Sequence, residues 1–157
     1  MVVDDDPDVR EVLALLLDKA GFDTIEADSG AQCLELLAAA RPSVILLDLM
    51  MPEMDGFEVC RALKRDPATA EIPVIVVTAR DDNGSRMRAA RLGASDFLVK
   101  PVSSERLIGR VKAQLEMVET MRRTQATIEK LAAKPQGLPE GRLQPRARAR
   151  VKGRRRG

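Results

Sequence analysis

The fold is decided by the stretch Val44-Ile45-Leu46-Leu47-Asp48, four apolar residues followed by an acid. An unbroken apolar run, rather than an alternating one, is typical of a strand that helices cover on both faces of a parallel sheet. Val74-Ile75-Val76-Val77-Thr78 repeats this pattern further along the chain. Shorter runs at Val2-Val3, Asp23–Ala27 and Asp96–Val99 complete a predicted set of five strands.

Amphipathic segments separate the predicted strands. We expect helices from Pro7 or Asp8 to before Gly21, from Ser29 or Gly30 to before Pro42, at 57–65, at 82–92 and from Ser103 or Ser104 onward. Strands that alternate with helices predict an α/β fold with a doubly wound parallel sheet.

The last predicted helix runs to about residue 133, which is longer than the domain needs. Leu107, Val111 and Leu115 are spaced to face the body of the domain. Further on, a second apolar series follows a spacing of four and three residues: Met117, Met121, Thr124, Ile128 and Leu131. Two heptads leave two interpretations open, a short coiled coil and a frayed amphipathic extension. We therefore divide the chain into a domain at 1–118 and a helical extension at 119–133.

The remaining segment, 134–157, has a different composition. It holds nine Lys or Arg against one acid and is rich in Gly and Pro, so we expect a disordered basic tail. One interpretation is an arm that binds nucleic acid weakly and without sequence specificity. The other is an arginine-rich stretch without function. The basic residues concerned are Arg146, Arg148, Arg150, Lys152, Arg154, Arg155 and Arg156.

Composition excludes several classes of function. The chain has no His, so it lacks catalysis by a histidine base and any imidazole metal site, and it has no Trp or Tyr and only three Phe. The spacing of Cys33 and Cys60 does not match a metal or redox motif. The sequence reaches acidic residues by position 4, which is unlike the start of a signal peptide. No apolar run is long enough for a membrane span. We therefore expect a cytoplasmic protein with free thiols. Because two residues make a short central strand, we also expect that the true start lies about three to six apolar residues upstream of Met1.

Polar side chains follow the predicted strands at the points where the strands end. Asp4, Asp5 and Asp48 end the first and third strands, and Thr78 and Lys100 end the fourth and fifth. The carboxyl ends of parallel strands form the crevice in which ligands of such sheets bind. Three neighbouring carboxylates repel one another unless a cation joins them, and oxygen ligands suit Mg²⁺. The pattern therefore predicts a magnesium-dependent site.

Four segments together resemble the receiver domain of two-component response regulators over roughly residues 2–118. They are Val2–Asp6, Leu46–Gly56, Val76–Ala79 and Leu98–Pro101. The segment around Pro67–Pro73 is similar to receivers linked to diguanylate cyclases and hybrid kinases. The resemblance implies a flavodoxin-like, five-stranded sheet of order 2-1-3-4-5.

The resemblance also implies a function for each of these residues. A sensor histidine kinase or phosphotransfer protein would donate a phosphoryl group to Asp48, which makes the domain a switch rather than an enzyme. Asp4, Asp5, Asp48 and the backbone carbonyl of Met50 would hold Mg²⁺. Thr78 would bond a phosphoryl oxygen, Lys100 would pair with the phosphate, and Phe97 would be the switch aromatic.

Phosphorylation is expected to change the surface formed by the fourth helix, the fifth strand and the fifth helix, and to favour a homodimer. That surface carries charges of both signs, which suit pairing with a second copy: Arg86, Arg91, Asp96, Glu105, Arg110 and Lys112.

Two alternatives belong to other classes. A receiver-like module could bind partners without taking phosphate, although the full set of Asp, Thr and Lys argues against this. A magnesium-dependent aspartyl phosphatase of the haloacid dehalogenase type shares the Asp nucleophile. It needs a second acid two residues later, where this chain has Met50.

Overall fold

The computed structural model describes residues 1–133, in which five strands and five helices alternate. The strands are β1 (Val2–Val3), β2 (Glu26–Ala27), β3 (Ile45–Leu47), β4 (Val74–Thr78) and β5 (Asp96–Val99). The helices are α1 (Pro7–Lys19), α2 (Gly30–Leu36), α3 (Gly56–Arg65), α4 (Asn83–Arg91) and α5 (Ser104–Ala132).

The strands form one parallel sheet of order β2-β1-β3-β4-β5. In register, Val3 of β1 lies opposite Leu47, and Leu47 lies opposite Val76. All carboxyl ends therefore point to the same edge of the sheet. The predicted fold class and strand order are confirmed.

Side chains of β3 alternate between two cores. Ile45 and Leu47 pack on the side of α2 and α3, among residues such as Cys33, and Leu46 packs on the side of α1 and α5 with Leu107. All three β3 side chains are buried. This two-sided burial is why the strand is apolar throughout.

Side-chain caps fix where the helices begin. Asp6 accepts hydrogen bonds from the backbone N–H groups of Asp8 and Val9, and Pro7 occupies the first turn of α1. Asp55 and Glu58 form a reciprocal capping box at the start of α3. Because all five N-caps lie in loops that follow the carboxyl ends of strands, they also fix where each helix leaves that edge of the sheet.

Several element bounds differ from the sequence prediction, most of them by one or two residues. The second strand is Glu26–Ala27 rather than Asp23–Ala27, because its neighbour β1 offers only two strand residues for pairing. The third strand is Ile45–Leu47 rather than the longer apolar run. Helix α2 ends at Leu36, and residues 37–39 continue as a turn before Pro42.

Helix α5 continues well beyond the sheet, as its sequence predicts. Four members of its second apolar series are more than half exposed: Met117, Met121, Ile128 and Leu131. The predicted basic tail at 134–157 lies outside the described residues. Within residues 1–133, no helix combines the length and the apolar character that crossing a membrane requires.

Candidate functional site

The carboxyl edge of the sheet brings the predicted site residues to one place. Asp4 follows β1 and is 1% exposed, and Asp48 follows β3 and is 5% exposed. Asp5 is exposed beside them. One carboxylate oxygen from each acid lies within 4.8 Å of the others. The three acids thus form a cluster in which a cation could be held by oxygen atoms from two adjacent strands.

Lys100 reaches this cluster from the end of β5. Its Nζ donates to Asp4 Oδ2 at 2.6 Å and to Asp48 Oδ2 at 3.3 Å. Burial alone would lower the pKa of Lys100, but its hydrogen bonds to Asp4 and Asp48 and the charges of both carboxylates outweigh burial and raise that pKa. Lys100 therefore stays charged, and its ammonium group contacts two of the three clustered carboxylates.

The loop after Asp48 sets the orientation of its carboxylate. The backbone N–H of Met50 donates to Asp48 Oδ1 at 3.3 Å, while the Met50 side chain is 56% exposed. The loop closes where the N–H of Gly56 donates to the carbonyl of Leu49 at 3.1 Å. A Cβ at position 56 would lie 2.7 Å from Leu49 Cα and even closer to the Asp48 carbonyl oxygen. Gly56 is thus needed for this close approach.

Asp4 is held by contacts that its sequence motif does not reveal. The N–H of Asp6 donates to Asp4 Oδ1 at 3.0 Å. Arg10 in α1 donates from Nη1 to the Asp4 carbonyl at 2.7 Å, and it lies 3.8 Å from Glu26. Arg10 therefore supports the β1–α1 turn. Sequence reasoning missed this role, because no spacing rule links an acid after a strand to an arginine in the next helix.

Thr78 and Phe97 lie on neighbouring strands, with Thr78 at the carboxyl end of β4 and Phe97 two residues before the end of β5. Thr78 is fully buried at the end of β4, and its Oγ1 accepts a hydrogen bond from the N–H of Arg80 at 3.3 Å. Phe97 of β5 is partly buried against Val76 and Ala89. The structure thus places the predicted acids, Thr78 and Lys100 at the carboxyl edge of the sheet, with Phe97 inside β5 opposite Val76.

This arrangement supports one kind of chemistry best. A buried carboxylate beside a lysine ammonium and further oxygen ligands suits the transfer of a phosphoryl group to oxygen. In such a transfer the protein mainly aligns the nucleophile and neutralises charge on the phosphoryl oxygens.

Comparison with known proteins gives the family. Residues 1–112 match the model of the response regulator receiver domain. The phosphate regulon transcriptional regulatory protein PhoB of Pseudomonas aeruginosa is 37% identical over 115 residues, which are 73% of this chain and 50% of PhoB. Response regulator PleD of Caulobacter vibrioides is 39% identical over 147 residues, 88% of this chain and 32% of PleD. The chain therefore spans half or less of these two relatives.

Solved structures agree with this assignment. The receiver domain of a signal transduction histidine kinase from Syntrophus aciditrophicus superimposes with a TM-score of 0.70 at 37% identity, covering 74% of this chain and 89% of that one. A response regulator structure from Chloroflexus aurantiacus gives a TM-score of 0.71 at 33% identity, covering 73% and 94%. The two alternatives, a phosphatase and a module that takes no phosphate, are not favoured by these matches. The chain belongs to the family of receiver domains of two-component response regulators.

Proposed function

We propose that the chain is a signalling switch that accepts a phosphoryl group on Asp48. The observation that carries this proposal is the junction at the sheet edge, where Lys100 Nζ bridges Asp4 and Asp48. Asp5 adds a third carboxylate within 4.8 Å. Residues 1–118 would form the phosphorylated domain, which modifies only itself and is not an enzyme acting on other substrates.

The transfer step follows from the groups present. A carboxylate oxygen of Asp48 attacks the phosphorus of a phosphohistidine, and a new O–P bond forms while the P–N bond breaks. The electron pair stays on the imidazole nitrogen, which takes a proton. Lys100 lies within reach of Asp48 to neutralise the phosphoryl oxygens, and Thr78 supplies a hydroxyl donor. Hydrolysis later returns the carboxylate and releases inorganic phosphate.

The acid cluster fits Mg²⁺. Asp4, Asp5, Asp48 and the backbone carbonyl of Met50 would hold the ion, which supplies positive charge for the phosphoryl oxygens when bound. The fit rests on the three oxygen donors within 4.8 Å of one another, of which Lys100 pairs with Asp4 and Asp48. Hard carboxylate oxygens are the ligands that Mg²⁺ prefers.

Asp5→Asn is expected to weaken Mg²⁺ binding about tenfold or more, because one carboxylate charge leaves the cluster. Asp5 is exposed, so folding stability should change little. Calorimetric titration with magnesium chloride measures the effect. Asp18→Asn removes the same charge at the far end of α1 and serves as the control. Equal affinities in the two variants would rule out Asp5 as a ligand.

Residues 1–157 contain no His, so the phosphohistidine that we propose as donor lies outside them. We place its docking surface on the groove between α1 and the segment that follows β5. The groove is largely apolar and includes Val9, Val12, Leu16, Pro101 and Val102, with Lys100 at its margin. A histidine-bearing helix in this groove would lie next to Asp48, because Lys100 touches both. A sensor histidine kinase or phosphotransfer protein fits this description. A cytoplasmic location is part of the proposal, and the two buried free thiols, Cys33 and Cys60, are compatible with it.

The switch would use Thr78 and Phe97. A phosphoryl group on Asp48 offers Thr78 a charge-assisted hydrogen bond, and Thr78 would move toward it. Phe97 would turn into the space that Thr78 leaves. The surface of α4, β5 and α5 would then change, and a bias of about 1–3 kcal/mol is sufficient for such a coupling.

The α5 stripe, defined as Met117, Met121, Thr124, Ile128 and Leu131, suits pairing with a second copy. As a heptad seam it places Ile128 at an a position and Leu131 at a d position, a combination that favours two parallel helices. The flanking e and g positions hold uncharged residues: Val118, Thr120, Gln125, Thr127 and Ala132. Identical helices therefore meet without like charges opposite one another.

The α5 stripe also continues the switch surface. Arg110, Met117 and Thr124 follow one another at intervals of seven residues and so lie on one side of α5. On that side Arg110 pairs with Asp96 of β5 at 3.2 Å, next to Phe97. A change at Phe97 is thus transmitted to the face from which the extension at 119–133 would form its dimer.

Ile128→Lys is expected to abolish dimer formation in the presence of beryllofluoride, a phosphoryl mimic, because it places a charge in the seam of both copies. Sedimentation with and without the mimic measures the change. Ala126→Lys adds the same charge on the opposite side of α5 and should still dimerise. A wild-type mass that the mimic leaves unchanged would contradict the proposed dimer.

The proposal as a whole is tested by incubating the chain with acetyl phosphate and Mg²⁺. Intact mass should rise by one phosphoryl group, and removing Mg²⁺ with EDTA should prevent the rise. The same uptake with and without EDTA would reject the metal-dependent mechanism. No uptake from any acyl phosphate or phosphohistidine donor would favour the module that takes no phosphate.

A further inference from the structure

The guanidinium group of Arg86 contacts two elements of the proposed switch. Its Cζ lies over the ring of Phe97, 4.6 Å from the ring centroid. Its Nε and Nη2 donate to Asp81 Oδ1 at 2.9 and 2.6 Å. Arg86 thus lies between the β4–α4 loop and the aromatic side chain of β5.

Asp81 belongs to the same loop as the residues that contact Thr78. Arg80 of this loop donates its N–H to Thr78 Oγ1, so a displacement of the Thr78 hydroxyl breaks a hydrogen bond that holds the loop. Asp81 is the next residue, and its carboxylate fixes the position of Arg86. A chain of direct contacts therefore runs from Thr78 through the loop to Arg86 and Phe97.

The two contacts of Arg86 depend on each other. An exposed cation over an aromatic ring contributes little when its side chain is free to move. The planar guanidinium can stack on the ring and donate to a carboxylate at the same time, which an ammonium cannot do with the same geometry. Asp81 therefore pre-organises the stacking of Arg86 on Phe97.

We propose that Arg86 is a latch that stabilises the resting position of Phe97 and releases it when the loss of the Thr78 hydrogen bond lets the β4–α4 loop move. This inference rests on the proposed function and deepens it, since it names the residue that sets how easily the switch turns. Removing the latch destabilises the resting arrangement alone, because Phe97 leaves Arg86 when it turns inward.

The consequence is a change in phosphoryl affinity without a change at the site. A ligand that favours one of two arrangements binds more tightly when the other arrangement is destabilised. Arg86→Ala loses the stacking energy of an exposed cation on an aromatic ring. Its apparent affinity for beryllofluoride should therefore be about two- to fivefold higher than that of the wild type. Arg86→Lys keeps the charge but loses the forked contact, and it should fall between Arg86→Ala and the wild type.

The chain contains a matched control on the same helix. Arg88 lies over the ring of Phe57 with its Cζ 4.0 Å from the centroid. Phe57 belongs to α3 and is buried, and it is not part of the proposed switch. Arg88→Ala therefore removes the same kind of contact and the same charge, but it should leave beryllofluoride affinity unchanged.

The experiment combines a titration with fluorine NMR. The chain has three Phe, so fluorophenylalanine labelling gives three signals, and substitution of each Phe assigns them. In Arg86→Ala without mimic, the Phe97 signal should shift from its wild-type position toward the position that it takes with saturating beryllofluoride. With saturating mimic, the signals of the wild type and Arg86→Ala should coincide.

The possible outcomes separate the two proposals. If wild-type protein does not bind beryllofluoride, the proposed function fails. If the wild type binds but Arg86→Ala has unchanged or weaker affinity, the latch is wrong while the function stands. An Arg88→Ala variant with the same gain would also overturn the latch, because the effect would then come from the charge of α4 rather than from Phe97.

Discussion

Asp48→Asn is expected to abolish phosphoryl uptake completely. The amide has nearly the same shape as the carboxylate, but its oxygen is neutral and a poor nucleophile, so no acyl phosphate forms. Folding should be retained, because the substitution removes one of three clustered negative charges and leaves Lys100 paired with Asp4. Intact mass after incubation with acetyl phosphate and Mg²⁺ measures the loss, and thermal unfolding checks the fold.

Asp55→Asn is the matched control for this substitution. Asp55 lies in the same loop system but serves as the N-cap of α3, where Asn also caps well. Its phosphoryl uptake should equal that of the wild type. A residual uptake in Asp48→Asn would show that another side chain is the acceptor.

Gly56→Ala is expected to cost about 3 kcal/mol or more in free energy of unfolding. The new Cβ would collide with the backbone of Asp48 and Leu49, which cannot move aside as a flexible side chain would. The collision would displace the backbone of Asp48, the proposed phosphoacceptor. We therefore expect phosphoryl uptake to fall together with stability, as measured by denaturant titration and by intact mass.

Gly109→Ala provides the opposite outcome from the same chemical change. Gly109 is exposed within α5, and an added Cβ there meets no atom within 4 Å. Because Ala is the better helix former by about 1 kcal/mol, this variant should be more stable than the wild type. If both glycine variants behave alike, the close approach at Gly56 is not the cause.

The sheet could be predicted because its strands carry strong local signals. The apolar runs of β3 and β4 are buried on both faces, so every position contributes to the pattern. The acids and Lys100 could be placed together because parallel strands end at one edge. Strand ends were less predictable, since the length of β2 depends on its pairing with β1 and not on its own residues.

The supporting contacts could not be predicted, because they join residues without a periodic relation. Arg10 reaches the carbonyl of Asp4 across a turn, and Arg86 lies over Phe97 from another element. Only the packed structure brings these atoms together. Gly56 was visible in its motif, but its close contact with the Asp48 carbonyl depends on how the loop closes.

The claim that Asp48 is the phosphoacceptor is central to this account. It is tested most directly by phosphorylating the chain with acetyl phosphate and Mg²⁺, reducing the acyl phosphate with borohydride, and sequencing the peptides by mass spectrometry. The account predicts that the aspartate at position 48, and no other, is converted to homoserine. Conversion at Asp4, Asp5 or Asp55, or a phosphoryl group that resists borohydride, would contradict it.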